Sequence, residues 1–140
     1  MSPVTAKSES GHPKASQVRS ILRGLMGSTD AGVRAAAAIS TDGMVIAAVL
    51  QEGVDADRFA AMSASLLALA EREVAETRRG KLKQLLVEGT EGAVLLVRAG
   101  EDAVLAVSTD PGALIGKIFL EARTSADKLR QCMGTTGGGM

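Results

Sequence analysis

The order of apolar and polar positions divides the chain into eight regular elements. Val18, Ile21, Leu22 and Leu25 stand at i, i+3, i+4 and i+7, which predicts an amphipathic helix over 16–26. Ser16 is its expected N-cap and Gly27 its expected stop. Two apolar runs follow, 33–40 and 44–51, on either side of Thr41-Asp42-Gly43. An Asp-Gly pair between apolar runs signals a hairpin, because glycine supplies the positive φ that such turns need. Alanines 35–38 favour helix by propensity alone, but the turn and the β-branched second run predict paired strands.

Residues 55–79 form the longest predicted helix. Asp55 or Asp57 can cap its first turn, and Arg78-Arg79-Gly80 marks its end. Three short apolar runs, 82–87, 93–97 and 103–107, are separated by glycine-containing turns and predict a meander. A last helix is expected to open at Asp110-Pro111-Gly112 and to run to about Met133, with Leu114, Ile115, Ile118, Ala122, Ala126, Leu129 and Met133 as its apolar stripe. Short turns force neighbouring strands to pair antiparallel, so the economical fold is α+β with one five-stranded antiparallel sheet. Residues 1–15 and 134–140 are polar or glycine-rich and read as flexible tails around a domain of 16–133.

The long helix has two faces. Phe59, Met62, Leu66, Leu67, Leu69 and Val74 gather on one side, and Ala60, Ala61, Ala64, Ser65, Ala68 and Ala75 on the other. No charge interrupts Phe59–Ala70, and a helix apolar all round is usually covered on both sides. The sheet is expected to cover the large side chains. The small face then either meets a second copy of the chain or is plain solvent-exposed alanine. The run Leu82 to Val87 is a candidate sheet edge, where Leu82, Leu85 and Val87 would invite pairing with another copy, unless Lys81 and Lys83 guard against it.

Composition narrows the chemistry. Sixteen basic and sixteen acidic side chains cancel, so no charge bias draws the chain to nucleic acid. Two phenylalanines are its only aromatics, which leaves no stacking platform for bases. One cysteine, Cys132, cannot form an internal disulfide, as suits a reducing cytoplasm, and no segment reads as a signal peptide or a membrane span. Gly112-Ala-Leu-Ile-Gly116-Lys117-Ile118 misses the phosphate-loop spacing by one residue and lacks the Ser or Thr after its lysine. Gly116 reads instead as a packing position. Asp55 and Asp57 start like a calcium loop but lack its sixth-position glycine and twelfth-position glutamate. His12 and Cys132 are far apart in sequence, and Glu71 and Glu73 alternate with arginines as on a solvated face. Asp42 is accounted for by its turn. Neither catalytic residues nor a metal or cofactor site are expected.

The hairpin Ala38-Ile-Ser-Thr-Asp-Gly-Met-Val-Ile-Ala47, the helix 57–70, the strand Gly80–Gly89 and the hairpin of Gly92–Val97 with Ala103–Val107 together resemble the roadblock/dynein-light-chain family over about 16–133. The resemblance implies a sheet with the central helix on one face and the N- and C-terminal helices on the other. It implies a homodimer through the central helix and third strand, matching Ala60, Ala61, Ala64, Ser65, Ala68, Leu82, Leu85 and Val87, with Asp42 and Gly43 as the family's turn. It also implies a partner: MglB-type members bind a Ras-like small GTPase and adjust its nucleotide state without an active site of their own. A small-molecule sensor of PAS- or profilin-like topology and a structural adaptor are the alternative expectations.

Overall fold

A computed structural model describes residues 4, 5, 11–27 and 31–138. The elements run β1 (Val4–Thr5), α1 (Ala15–Met26), β2 (Val33–Ser40), β3 (Val45–Leu50), α2 (Ala56–Glu76), β4 (Gln84–Gly89), β5 (Gly92–Ala99), β6 (Ala103–Thr109) and α3 (Ile115–Gly138). The sheet is antiparallel throughout, in the order β1-β3-β2-β6-β5-β4. Its five longer strands are those the sequence predicts. The sixth, β1, sets Val4 opposite Leu50 and Thr5 opposite Val49, within the segment expected to be a tail. Most of that tail lies outside the described residues. At the other end, α3 continues through Gly138, past the expected stop at Met133.

The sheet separates two cores. On one face, Val18, Leu22 and Leu25 of α1 and Ile118, Ala122, Ala126 and Leu129 of α3 pack on Val33, Ile46, Leu95, Leu105 and Val107. On the other, Ala60 and Leu67 of α2 pack on Ala35, Ala37, Ile39, Val45, Ala48, Leu96, Val104 and Ala106. Consecutive residues of β2 serve opposite cores, as the period of two requires. The β2 alanines therefore form strand, and tertiary pairing overrides their helix propensity.

Several local expectations change. Lys14, not Ser16, is the N-cap of α1, and it makes no side-chain cap bond. Asp55 caps α2, accepting from the Arg58 N–H at 3.1 Å. That helix closes with Arg79 N–H donating to Val74 C=O and Arg78 N–H to Ala75 C=O, a Schellman closure with Arg78 at φ 58° where glycine is usual. Asp110-Pro111-Gly112 forms a turn ahead of α3 rather than its first turn. Leu114 is consequently exposed. Gly116 packs against nothing, since a side chain there would meet open space. Gly92, at φ 132°, has a firm reason: a Cβ there would lie 2.2 Å from the Thr109 carbonyl oxygen.

Arg98 of β5 fastens α2 to the sheet. Its Nε and Nη2 donate to the two Glu71 carboxylate oxygens at 2.5 and 3.0 Å, a two-point pair held at half-buried positions. Leu67→Ala is expected to cost about 2–5 kcal/mol, because it hollows the core beneath α2. Arg98→Ala is expected to cost about 1 kcal/mol. Urea denaturation of both variants would show this order; equal losses would contradict the placement of Leu67 at the centre of that core.

Candidate interaction surface

The roll of α2 on the sheet decides what the protein shows to solvent. Ala60, Ser63 and Leu67 face the sheet and are buried. The prediction that the large side chains cover the sheet fails for three of them. Met62 is 60% exposed, Leu66 41% and Leu69 61%. The reason lies in the strands below. Ala35, Ala37, Ala48 and Ala106 set single methyl groups among the larger Ile39, Val45, Leu96 and Val104 on this side of the sheet, and small helix residues can settle close over them. Ala60 and Ser63 fill that role, with Leu67 buried and Phe59 partly buried beside them.

The small residues expected at an interface are therefore divided. Ala60 is spent in the protomer's own core and offers no surface. Ala64 is half-buried, and Ala61, Ser65 and Ala68 are exposed or nearly so. Met62, Leu66 and Leu69 join them on the outward side, making one apolar surface on a helix otherwise bordered by Arg58, Arg72 and Glu76. The sequence pattern alone assigns the large three to the core. Their signal is present as an uncharged run over Phe59–Ala70, but not its orientation.

At one edge of the sheet, β4 has a strand on one side only among the described residues. Leu85 is half-buried on the α2 side of the sheet, and Val87 is 42% exposed. Leu82 precedes the strand instead of opening it, and packs against the same core. Both Leu82 and Leu85 therefore give part of their area to the protomer and keep part exposed.

Asp42 and Gly43 form the β2–β3 turn. The Ser40 hydroxyl bonds to the Asp42 carboxylate, and the Met44 N–H donates to that same hydroxyl oxygen at 2.9 Å. Gly43 N–H donates to Ser40 C=O at 2.9 Å with φ at 94°. A Cβ on Gly43 would stand 3.5 Å from Ala61 Cα and 3.7 Å from Ala64 Cβ, so the turn lies against α2 and holds its first half in place. Asp42 also lines an open groove of about 690 Å³ with His12, Lys14, Glu101 and Asp102. Among the described residues, no three His, Cys, Asp or Glu side chains come together as a metal site, and no helix is long and apolar enough to cross a membrane. Cys132 Sγ lies 3.4 Å from Gln17 Oε1, a contact between α3 and α1.

These elements, in this order, define a class. The Roadblock/LC7 domain profile matches residues 15–109, and the chain belongs to that family. It is 37% identical over 99 residues to the uncharacterized protein MJ0310 of Methanocaldococcus jannaschii, covering 71% of this chain and 86% of that one. Its fold is similar to that of Myxococcus xanthus MglB, with a TM-score of 0.79 at 17% identity over 89% of this chain and 92% of that one. It is similar also to an MglB structure with a tetrameric arrangement, with a TM-score of 0.74 at 20% identity and 94% coverage of both chains.

Gly43→Ala is expected to cost about 1 kcal/mol, since alanine resists the positive φ the turn requires. Asp42→Ala, which removes one exposed hydrogen bond, is expected to cost less. Thermal melts would check the order, and the reverse order would mean that the carboxylate, not the backbone, holds the turn.

Proposed function

We propose that the protein is a homodimer that binds a Ras-like small GTPase and modulates its nucleotide state, as a regulator or scaffold without an active site of its own. The observation that carries this reading is the apolar outward face of α2, with Met62, Leu66 and Leu69 exposed on the same side of the sheet as the open β4 edge. Exposed apolar area of this kind on a small domain marks a surface that another protein covers. Family membership supplies the expectation of what covers it.

The two features suit one two-fold axis. A two-fold operation makes the same patch meet itself. Pairing of β4 with its copy, centred on Leu86, would set Leu85 of each protomer opposite Val87 of the other, on the α2 side of the joined sheet. Lys83 of each would then stand beside the acidic end of the other strand, near Glu88 and Glu91. In that arrangement Lys83 attracts its partner instead of guarding the edge, and the two sheets become one. The α2 helices would cover each other's Met62, Leu66 and Leu69, with Ala61, Ser65 and Ala68 allowing close approach.

A dimer built this way presents two equal copies of every outer surface to a GTPase. Regulation would act by ordering or displacing the GTPase's own switch loops, the usual route by which such proteins change state. The same reading takes the protein as cytoplasmic, with 16–133 as the family-like domain and β1 joining its sheet from outside those bounds.

Light scattering of the purified protein is expected to give twice the 14.3 kDa chain mass. Ala68→Glu and Leu66→Glu are expected to return it to the single-chain mass while keeping the fold, because each would bury an unpaired charge. Ras-like GTPases from the same genome, loaded with GDP or with a non-hydrolysable GTP analogue, are expected to bind with affinities that differ at least about tenfold between the two states, which is about 1.4 kcal/mol. Absence of binding in both states would reject the GTPase reading; an unchanged mass for both glutamate variants would reject the interface.

A further inference from the structure

The two edges of the sheet are managed differently. At the β4 edge Lys81 and Lys83 precede the strand, Glu88 lies in it and Glu91 follows, and among the described residues no further strand pairs with it. At the other edge lies β3, Val45-Ile-Ala-Ala-Val-Leu50, six apolar residues without a charge, a proline or a glycine. Every one of them is buried, between α1 on one side of the sheet and α2 on the other. A flat apolar strand of this composition is a ready template for pairing, and natural sheets guard such edges with charges, prolines or a covering element. None of the first two is present on β3. The covering element is β1, which sets Val4 opposite Leu50 and Thr5 opposite Val49 in antiparallel register and so occupies the last two of the six positions.

We propose that β1 is an edge guard: by occupying the place beside β3, it prevents a second copy of the chain from extending the sheet there. An incoming strand must lie about 4.8 Å from β3 to pair with it, and that is where the backbone of Val4 and Thr5 already runs. This goes beyond the self-association surface proposed above, and rests on it for one consequence. With β4 edges consumed in a two-fold dimer, the joined sheet would end on β3 at both sides if β1 were absent. Two unguarded ends would link dimers edge to edge without closure, since an interface repeated at both ends of a unit yields an open chain. With β1 in place, assembly stops at the dimer.

The test compares the full chain with two variants by light scattering across a hundredfold concentration range. One variant lacks residues 1–5. The other carries Val4→Pro and Thr5→Pro, which remove both N–H groups of β1 and leave the rest of the chain intact. Both variants are expected to show a mass that climbs with concentration in whole multiples of the full-length species. A synthetic peptide of residues 1–10, added in excess, is expected to reverse the climb. A folded variant that keeps the full-length mass throughout would overturn the proposal. So would growth that the peptide does not reverse. Loss of helical circular dichroism in both variants would overturn it as well, because the strand would then be holding the core and not guarding an edge. Because masses are counted in units of the full-length species, a monomeric full chain would defeat the dimer reading while the outcome for β1 still stands on its own.

Discussion

Four methyl groups set the geometry on which the rest of this molecule depends. Ala35, Ala37, Ala48 and Ala106 leave shallow ground among the larger side chains of one sheet face, and a shallow stripe of helix lies close against it. Ala60 and Ser63 supply that stripe, with Leu67 buried one turn further along and Phe59 packing at its start. Turning Met62 or Leu66 inward in place of Ala60 or Ser63 would overpack this contact. The same contact that stabilises the protomer thus pushes its large side chains outward. Packing inside the chain and exposure outside it are one decision.

The supporting contacts hold that roll in place. Gly43 brings the β2–β3 turn within van der Waals reach of Ala61 and Ala64 near the start of α2. Arg98 holds Glu71 further along the same helix. With both halves of α2 fixed, Met62, Ser65 and Leu69 stay in one outward row. A self-association surface benefits from such rigidity, because little side-chain and backbone freedom remains to be lost on docking.

Much of the architecture was legible along the chain. The Asp42-Gly43 turn outweighed the helix propensity of Ala35–Ala38 because glycine at positive φ is a backbone requirement, while propensity is a small bias that strand pairing overrides. A cap at Asp55 or Asp57 was legible, and Asp55 fills it because its carboxylate answers the orphan Arg58 N–H. What could not be read was the roll of α2. The helix is apolar all round between Phe59 and Ala70, so no polar residue reports which side meets the sheet. The information sits in other strands, in the sizes of Ala35, Ala48 and Ala106. Strand β1 was equally hidden, since two residues within a polar segment carry no periodicity, and their pairing is decided by β3. Gly116 misled for a related reason: a glycine within an apolar stripe resembles a packing contact until the neighbouring elements are placed.

The central claim is that the outward face of α2 meets its own copy. Arg72 lies at the rim of that face with its side chain 75% exposed, so a nitroxide there would report on a nearby partner without entering the contact. In a Cys132→Ser background, spin-labelled Arg72→Cys should show a dipolar coupling between protomers, and the same label at exposed Thr124 on α3, across the sheet, should show a much weaker one. Coupling at Thr124 with none at Arg72 would place the contact on the opposite face and contradict the account.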